Sequence, residues 1–352
     1  MTLILSNEEV ERLLTMGDLV PAFEEAYVEL AEGRGANGPR SDIVTPTSFD
    51  AKGYYSLKSM DGVIPKFGKG AIRLNSDILS FPKIEGASRR VKMPAVPGGR
   101  FVGLVLLFDT ANGTPLMIAP DAAMQRMRVG ATSAIAAKHL ARRGSGRVAI
   151  LGSSGQARAQ LLGLDAVFAL TDIRVFSPNR DNRERYAREM SAAIGKDVRP
   201  CASGAEACRG ADIVSCATNA LEPVFMKEWL EPGMYVTSIG SRVAEIERAA
   251  WDRFDRIVIF NDSDTAVSLR THGIRLGSDK GEALPENVPT LPQILAGRAQ
   301  GRGSDEETTC FLNNLGMGFQ FAVTGHVVYE KARKAGIGRE LPTDWFTQTE
   351  PS

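Results

Sequence analysis

A short apolar segment that runs into a glycine-rich turn constrains this chain more than any other feature. Arg147 to Leu151 predicts a buried strand, and a helix is predicted from about Arg158 to Ala169. A turn between a strand and a helix directs backbone N–H groups and the positive end of the helix dipole toward an anion. The sequence therefore predicts a phosphate-binding turn, formed by Gly152, Ser153, Ser154, Gly155, Gln156 and Ala157.

This turn matches most of the glycine pattern that binds dinucleotides in strand–helix units. Gly152 and Ala157 occupy the first and third small positions of G-x-G-x-x-G/A, whereas Ser154 replaces the middle glycine. The middle residue must let the backbone approach the pyrophosphate closely. We expect Gly155 to provide part of that room and the two serine hydroxyls to act as further donors, so a dinucleotide cofactor is predicted here.

Strands and helices continue to alternate after the turn. A long helix is predicted before it, from Met124 to Arg142, and apolar strands follow it at Ile173–Phe176, Asp212–Cys216, Tyr235–Ile239 and Ile257–Phe260. This alternation indicates an α/β fold with a Rossmann-type, doubly wound parallel sheet.

The N-terminal part of the chain has a different pattern. Ser6 and Glu9 form a capping-box sequence at the start of a first helix, and the opening segment reads as helical up to Ala31. Strand signals arranged as antiparallel hairpins then extend from Gly53 to Ala119, and one last helix is predicted from Glu306. We therefore expect an α+β domain beside the Rossmann domain.

The end of the second Rossmann strand predicts which cofactor is preferred. An Asp or Glu there would bind the ribose 2′-hydroxyl of NAD, but the chain has Ser177, Asn179 and Arg180. These side chains can hydrogen-bond and neutralise a 2′-phosphate, so NADP(H) is favoured and NAD(H) remains an alternative. Arg180 could equally be a solvated residue at the start of a helix.

Composition excludes several other classes of protein. Lys plus Arg and Asp plus Glu both number 42, so no net positive charge would attract nucleic acid or an anionic membrane. The four cysteines lack zinc-ligand spacing and are expected to be reduced structural residues, and no metal site is predicted. The N-terminus lacks the basic region of a signal peptide and no apolar run reaches a membrane span, so we expect a soluble, cytoplasmic protein.

Several motifs in a fixed order resemble the ornithine cyclodeaminase/mu-crystallin family. The resemblance lies in Val102–Leu116, in Gln125–Ser133, in Ala136–Arg142, in the Gly152–Ala157 turn, in Ala211–Thr218 with Pro223, and in Gly316–Gln320. It extends over nearly the whole chain. It implies a homodimer in which residues 1–125 and 311–352 form a substrate-binding and dimerisation domain, and residues 126–310 form the Rossmann dinucleotide-binding domain.

The resemblance also implies the chemistry. Family members use NAD(H) or NADP(H) to reduce imines or oxidise amino acids, and others cyclise ornithine. We expect an oxidoreductase that transfers hydride to or from the α-carbon of a small α-imino or α-amino acid. Two alternatives remain: a cyclodeaminase-type lyase with bound NAD, which would change no net cofactor absorbance, and a non-enzymatic, crystallin-like protein that binds NADPH.

Family positions that hold the substrate carboxylate carry over to Arg40, Arg73 and Arg128, where Arg73 replaces a lysine. Guanidinium groups grip a planar carboxylate in two places, which holds the α-carbon in a fixed position. Lys58 is a further substrate-binding candidate, and Lys58 and Arg73 are the catalytic candidates. Arg128 is expected at the start of a helix, where the dipole disfavours a cation unless an anion offsets it.

The resemblance places further cofactor contacts at Thr218, Gly240 and Ser241. It also shows two departures from the cyclodeaminases. Arg242 stands nearest to the position of a family acid after the strand, and Phe321 replaces a second acid in the last helix. Both losses favour hydride transfer to an imine over ornithine cyclisation.

Overall fold

The computed structural model describes residues 1–49, 53–84, 87–88, 91–220, 222–240, 245–260, 268–271, 288–313 and 316–349. The chain forms two compact units. The first consists of Met1–Arg128, Ser263–Ser278 and Met317–Ser352, and the second of Val129–Asp262 and Asp279–Gly316.

The first unit is built on an extended sheet with helices. Its helices are α1 (Asn7–Leu13), α2 (Met16–Ala31) and α9 (Phe319–Ala335), and α3 (Ala122–Leu140) begins in it. Its strands are β1 (Thr2–Ile4), β2 (Ala36–Asn37), β3 (Ser41–Pro46), β4 (Tyr54–Ile64), β5 (Lys69–Ser80), β6 (Lys83–Ile84), β7 (Ala87–Ser88), β8 (Val91–Met93), β9 (Val102–Asp109), β10 (Pro115–Pro120), β17 (Ser268–Thr271) and β19 (Arg339–Leu341). Short 3₁₀ turns lie at Pro65–Phe67 and Thr343–Phe346.

The sheet of the first unit is mostly antiparallel, as the hairpin pattern predicts. In the described part of the chain its order is β17-β3-β4-β5-β9-β10-β1-β19, with β2 beside β4 and β8 beside β5. The predicted capping box is confirmed, because the Ser6 hydroxyl accepts from the amide of Glu9 and the Glu9 carboxylate accepts from the amide of Ser6.

The second unit is the predicted doubly wound sheet. Its strands are β11 (Arg147–Leu151), β12 (Asp172–Phe176), β13 (Val198–Pro200), β14 (Ile213–Cys216), β15 (Tyr235–Ser238), β16 (Arg256–Ile259) and β18 (Thr309–Leu312). Its helices are α4 (Gly155–Val167), α5 (Arg180–Ile194), α6 (Gly204–Cys208), α7 (Arg248–Trp251) and α8 (Leu291–Leu295), with a 3₁₀ turn at Lys227–Trp229. Over the described residues the strand order is β13-β12-β11-β14-β15-β18-β16, and all pairs are parallel.

Two predictions about elements are wrong. The last helix does not begin at Glu306, because Thr309–Leu312 forms β18 between β15 and β16 and the helix begins at Phe319. All four residues of β18 are buried, and a buried parallel strand is a short apolar run that periodicity cannot distinguish from a helix. The opening segment is also not wholly helical, since Thr2–Ile4 pairs with β10.

The four cysteines, Cys201, Cys208, Cys216 and Cys310, are free and buried, as expected. Burial raises the pKa of the Cys208 thiol to about 12, so the unreactive thiol form is retained. The helices of the described residues are all too short or too polar to cross a membrane.

Candidate substrate and cofactor sites

In strand β5 the polar side chains are buried and the apolar ones are partly exposed, the reverse of an ordinary half-buried strand. Arg73, Asn75 and Asp77 are buried, whereas Leu74 between them and Ile72 before them are only half-buried. Because side chains alternate between the faces of a strand, one face of the sheet is polar and buried, and the other is apolar and partly exposed. The polar face is called the inner face below, and the apolar one the outer face.

Two of the predicted carboxylate-binding arginines lie in the first unit beside acidic side chains. Arg73 of β5 donates from Nε to Oδ2 of Asp121 at 2.7 Å, and its Nη1 lies 3.5 Å from the sulfur of Met60. Arg40, just before β3, makes a two-pronged contact with Asp42 at 2.8 and 2.9 Å. These carboxylates fix the planes of the two guanidinium groups.

Arg128 completes this cluster. It is 5% exposed and donates from Nη1 to Oε1 of Gln320 at 2.8 Å. Burial and the neighbouring guanidinium groups of Arg73 and Arg40 lower the pKa of Arg128 to about 9. The expectation that a helix start opposes this charge is wrong, since α3 begins at Ala122 and the dipole acts mainly within the first turn. The neighbouring cations and burial are what disfavour the charge.

Helix α9 supplies the groups that position Arg128. The Gln320 side chain accepts from Arg128 and from the amide of Met317 at 3.0 Å, and it donates to the Tyr27 hydroxyl at 3.0 Å. The ring of Phe321 lies 5.3 Å from the guanidinium carbon of Arg73 and 5.8 Å from that of Arg128. The Phe321 ring therefore lies within cation–π distance of both guanidinium groups and stabilises both.

Sequence reasoning missed Asp121 and the role of Gln320. The available signal in the sequence was the need of a buried arginine for an acidic partner. In the structure Asp121 packs against Gly103, where an added Cβ would lie 2.1 Å from Oδ1 of Asp121. The start of α9 is held equally closely. A Cβ at Gly62 would lie 2.1 Å from the Phe319 amide nitrogen, and the Asn37 side chain accepts from that amide.

Lys58, the remaining predicted substrate and catalytic residue, lies on the inner face of β4. It pairs across the sheet with Asp42 on β3 and with Asn75 on β5, and its side chain is half-buried. The structure thus brings Lys58, Arg40, Arg73 and Arg128 into the same unit. Each of these four side chains carries a positive charge and lies near a polar side chain of the same unit, namely Asp42, Asn75, Asp121 or Gln320.

The predicted phosphate-binding turn joins β11 to α4 in the second unit. Gly152 has a φ of 124°, and a Cβ there would lie 2.3 Å from the carbonyl oxygen of Ala217, so only glycine fits. Ser154 precedes α4 but makes no side-chain cap hydrogen bond, which leaves the first-turn N–H groups to other acceptors. Gly155, Gln156 and Ala157 form the first turn of α4.

The tip of β12 lies beside this turn. The Ser153 hydroxyl donates to the Ser177 hydroxyl at 3.0 Å, and Asn179 caps α5 by accepting from the amide of Asn182. Arg180 is 77% exposed in its side chain and pairs with Glu184 at 2.7 Å. This position corresponds to the solvated alternative considered for Arg180.

Sequence reasoning missed Arg183 one turn later. Its Nη1 donates to the carbonyl oxygens of Ser177 and Pro178 at 3.1 and 3.3 Å, and its guanidinium carbon lies 5.9 Å from the Phe176 ring. Its Nε and Nη2 donate to no described residue. The guanidinium group is therefore fixed at the strand tip and keeps donors for an anion.

Glu245 is a second residue whose role the sequence did not reveal. Its fully buried carboxylate accepts from the amide and hydroxyl of Thr218, from the hydroxyl of Ser238, and from the amides of Ile239 and Gly240. It thus joins the loops that follow β14 and β15. Thr218 and Gly240, two predicted cofactor residues, are held by this carboxylate, whereas Ser241 and Arg242 lie outside the described residues.

The geometry defines a protein whose second unit has a Rossmann fold and whose first, α+β unit holds a cluster of guanidinium groups that includes Arg73 on the inner face of the sheet. The chain belongs to the ornithine cyclodeaminase/mu-crystallin family, whose model matches residues 86–336.

Named relatives and solved structures agree with this assignment. The chain is 31% identical over 346 residues to a Delta(1)-pyrroline-2-carboxylate reductase of Bacillus cereus, covering 96% of this chain and 99% of that one. It is similar to the structure of Thermococcus litoralis Delta(1)-pyrroline-2-carboxylate reductase in complex with NADH and L-proline (TM-score 0.78, 28% identity, 97% and 100% coverage). It is also similar to an archaeal alanine dehydrogenase dimer with bound NAD (TM-score 0.77, 26% identity, 97% and 99% coverage).

Proposed function

We propose that the protein is an NAD(P)H-dependent oxidoreductase that transfers hydride to or from the α-carbon of an α-imino or α-amino acid. The relatives named above are a reductase of a cyclic imino acid and a dehydrogenase of an amino acid. In this proposal the first unit binds the substrate and forms the dimer contact, and the second unit binds the cofactor.

The observation that carries the proposal is the buried guanidinium cluster. Arg73 and Arg40 are oriented by Asp121 and Asp42, and Arg128 is buried next to both cations. Three guanidinium groups held in this way would bind a carboxylate with charge-assisted hydrogen bonds. The negative charge of that carboxylate would offset the repulsion among the three cations. The substrate's α-carboxylate is the anion that both family chemistries share.

The cluster would act by orientation. Arg128 and Arg73 fix the carboxylate, and with it the direction of the α-carbon, which lowers the entropic cost of reaction. Bound nicotinamide would supply or accept the hydride. Lys58 lies on the same inner face and would hold the proton that the substrate nitrogen gains or loses, either directly or through water.

The turn of the second unit fits a dinucleotide. Gly152 and the uncapped first turn of α4 suit a pyrophosphate, and the residues expected to contact it are Gly152, Ser153, Ser154, Gly155, Gln156 and Ala157. We propose NADP(H) as the preferred cofactor, with Ser177, Asn179 and Arg183 at the 2′-phosphate and Arg180 at the margin. Thr218, Gly240 and Ser241 complete the proposed cofactor set.

We propose a homodimer that buries the outer face. Ile43 pairs with Leu57, and Leu74 pairs with Leu104, in adjacent strands, and three of these four side chains are more than a third exposed. Apolar rows of this kind on a sheet are covered in stable proteins. A second copy of the chain provides a self-complementary cover.

An absorbance screen tests the function. Purified protein is incubated with NADPH or NADH and 2-oxo acids plus ammonia or methylamine, or with cyclic imines, and ornithine and lysine are assayed with NAD. Loss of reduced cofactor with an imine supports the proposal. If ornithine is converted with no net change in cofactor absorbance, the result supports the cyclodeaminase-type lyase. If the protein binds the cofactor but turns over no compound, the result supports the non-enzymatic alternative.

A further inference from the structure

A second polar cluster lies on the inner face, further along β5 from Arg73. Asp77 is 4% exposed, and neither of its carboxylate oxygens accepts a hydrogen bond of good geometry from the described residues. Ser56, its cross-strand partner, is fully buried, and its hydroxyl likewise has no hydrogen-bond partner in that part of the chain. Buried polar atoms rarely stay unsatisfied in proteins, so these atoms indicate a missing hydrogen-bonding group.

Lys92 places a donor beside them. Its ammonium lies 2.7 Å from Oδ2 of Asp77 and 3.5 Å from Oδ1 of Asn75, and the side chain is 36% exposed. Within the described residues the ammonium meets these two side chains alone, and an ammonium has three donors. At least one N–H of Lys92 is therefore available to a further acceptor.

This cluster adjoins the proposed carboxylate site. Arg73, Asn75 and Asp77 are alternate residues of one strand, so each step along the inner face spans about 7 Å. Asp77 is therefore two steps, about 14 Å, from Arg73, and Asn75, which the Lys92 ammonium contacts, lies between them. A substrate whose α-carboxylate binds at Arg73 and Arg128 would direct its side chain along this row, toward Asn75 and the Lys92 ammonium.

The charges restrict what that side chain can be. A side-chain carboxylate would approach the buried carboxylate of Asp77, and a side-chain ammonium would approach Lys92, so like charges oppose both. A neutral carboxamide offers two N–H donors to the two Asp77 oxygens and one carbonyl oxygen to Lys92. An apolar side chain would leave the two Asp77 oxygens and the Ser56 hydroxyl without a hydrogen-bond partner among the described residues.

We propose that Ser56, Asp77 and Lys92 form the side-chain subsite of the substrate and select an α-amino or α-imino acid with a terminal carboxamide. This inference rests on the proposed function. Oxidation would convert the amino acid, NAD(P)+ and water into the 2-oxo acid, ammonia, NAD(P)H and a proton. The imine forms when hydride leaves the α-carbon, and water then hydrolyses it.

Near-isosteric substrates test the subsite. Asparagine is compared with aspartate and leucine, and glutamine with glutamate and methionine, each as both enantiomers with NADP+ and with NAD+. Lysine and ornithine test a cationic side chain. We expect kcat/KM for a carboxamide to exceed that of its charged and apolar counterparts by about 10- to 100-fold, because those leave buried groups unpaired.

Variants tie the preference to the subsite. Lys92→Met should reduce the carboxamide preference about tenfold or more, mainly through KM. Because that change leaves Asp77 unpaired, the double variant Asp77→Asn/Lys92→Met keeps the charge balanced and should also lose the preference. Lys334→Met, an exposed lysine of α9 in the same unit, is the matched control and should behave as the natural protein does.

Each outcome decides the proposal. A preference for the dicarboxylic or the diamino substrates would overturn the subsite while leaving the proposed function intact, and so would equal rates for all side chains. If no compound is turned over, including the imines of the absorbance screen, the proposed function fails. Calorimetric binding of the same amino acids then ranks the side chains independently, and a carboxamide that binds no tighter than its counterparts overturns the subsite.

Discussion

The guanidinium of Arg128 and the amide of Gln320, 192 residues apart in the chain, are joined by a hydrogen bond of 2.8 Å, and both side chains are buried. Gln320 keeps a second donor, the amide of Met317, when Arg128 is absent. Arg128 also lies near two other cations. The pair therefore holds a charge that the fold itself does not favour.

Replacing Arg128 should consequently affect catalysis more than folding. Arg128→Met is expected to lower kcat/KM for the imino acid about 10- to 150-fold, equivalent to about 1.5–3 kcal/mol for a lost charge-assisted bond. Arg128→Lys should recover part of it, because an ammonium cannot make the two-pronged contact. Steady-state kinetics, thermal unfolding and NADPH titration measure these effects. If Arg128→Met unfolds, or if it loses affinity for the cofactor while its kinetics with the substrate stay unchanged, Arg128 has a structural role.

Arg183, rather than Arg180, should determine the affinity for NADPH. Arg183→Ala removes a guanidinium fixed at the tip of β12 and should weaken NADPH binding about tenfold or more, with a smaller effect on NADH. Arg180→Ala removes an exposed pair with Glu184 and should change either affinity by less than about threefold. Fluorescence titration with both cofactors compares the two variants. Tighter NADH than NADPH binding by the natural protein would refute the 2′-phosphate site.

The outer face should hold two copies of the chain together. Leu104→Glu places a charge on that face, where Leu104 pairs with Leu74, and burying an unpaired charge at an interface is costly. We expect a dimer for the natural protein and a shift toward monomer for the variant, measured by sedimentation at micromolar concentration. A stable natural monomer would contradict the proposed dimer.

Acid should weaken the second unit through Asp212. Burial alone would raise the pKa of this carboxyl, but the Arg147 side chain, the amides of Arg147 and Gly146, and Arg142 hold it far below its usual value. Because the pKa is lower in the folded state, the contribution to stability is complete above about pH 4, the unfolded value, and is lost as the pH falls through the folded value.

Asp212→Asn should therefore unfold at a lower temperature than the natural protein at pH 7. The difference between the two melting temperatures should narrow steadily as the pH is lowered below about 4. Thermal unfolding followed by circular dichroism across this range measures it. A difference that stays constant or widens with acid would show that Asp212 is not the group responsible.

The sequence predicts local units better than distant contacts. The β11–turn–α4 unit, the capping box and the parallel strands follow from period, glycine position and strand length, which are local properties. Thr309–Leu312 falls inside a helix predicted from the sequence, because four consecutive buried residues show no period that would distinguish a strand from a helix. The side chains that orient the arginines come from distant strands and helices: Asp121 is 48 residues from Arg73, and Gln320 is 192 from Arg128. No spacing rule predicts such pairs.

The positions of two arginines after β12 also could not be predicted from the sequence. Arg180 and Arg183 both follow β12, and of these two only Arg180 is predicted from the sequence as a contact for the 2′-phosphate. Helical geometry instead turns Arg183 back over Phe176 and leaves Arg180 beside Glu184. Residues three apart lie on nearly the same side of a helix, so the sequence does not distinguish Arg180 from Arg183. Only the structure shows that Arg183 faces the tip of β12.

Transfer of deuterium from the cofactor to the product tests whether hydride passes directly between the nicotinamide and the α-carbon of the substrate. The enzyme is given NADPH or NADH deuterated at C4 on the transferred face, together with the imine that the absorbance screen identifies, and the amino acid formed is examined by mass spectrometry and proton NMR. We expect one deuterium at the α-carbon and one oxidised cofactor for each product molecule. A product that forms without deuterium at the α-carbon, or without net cofactor oxidation, would contradict it.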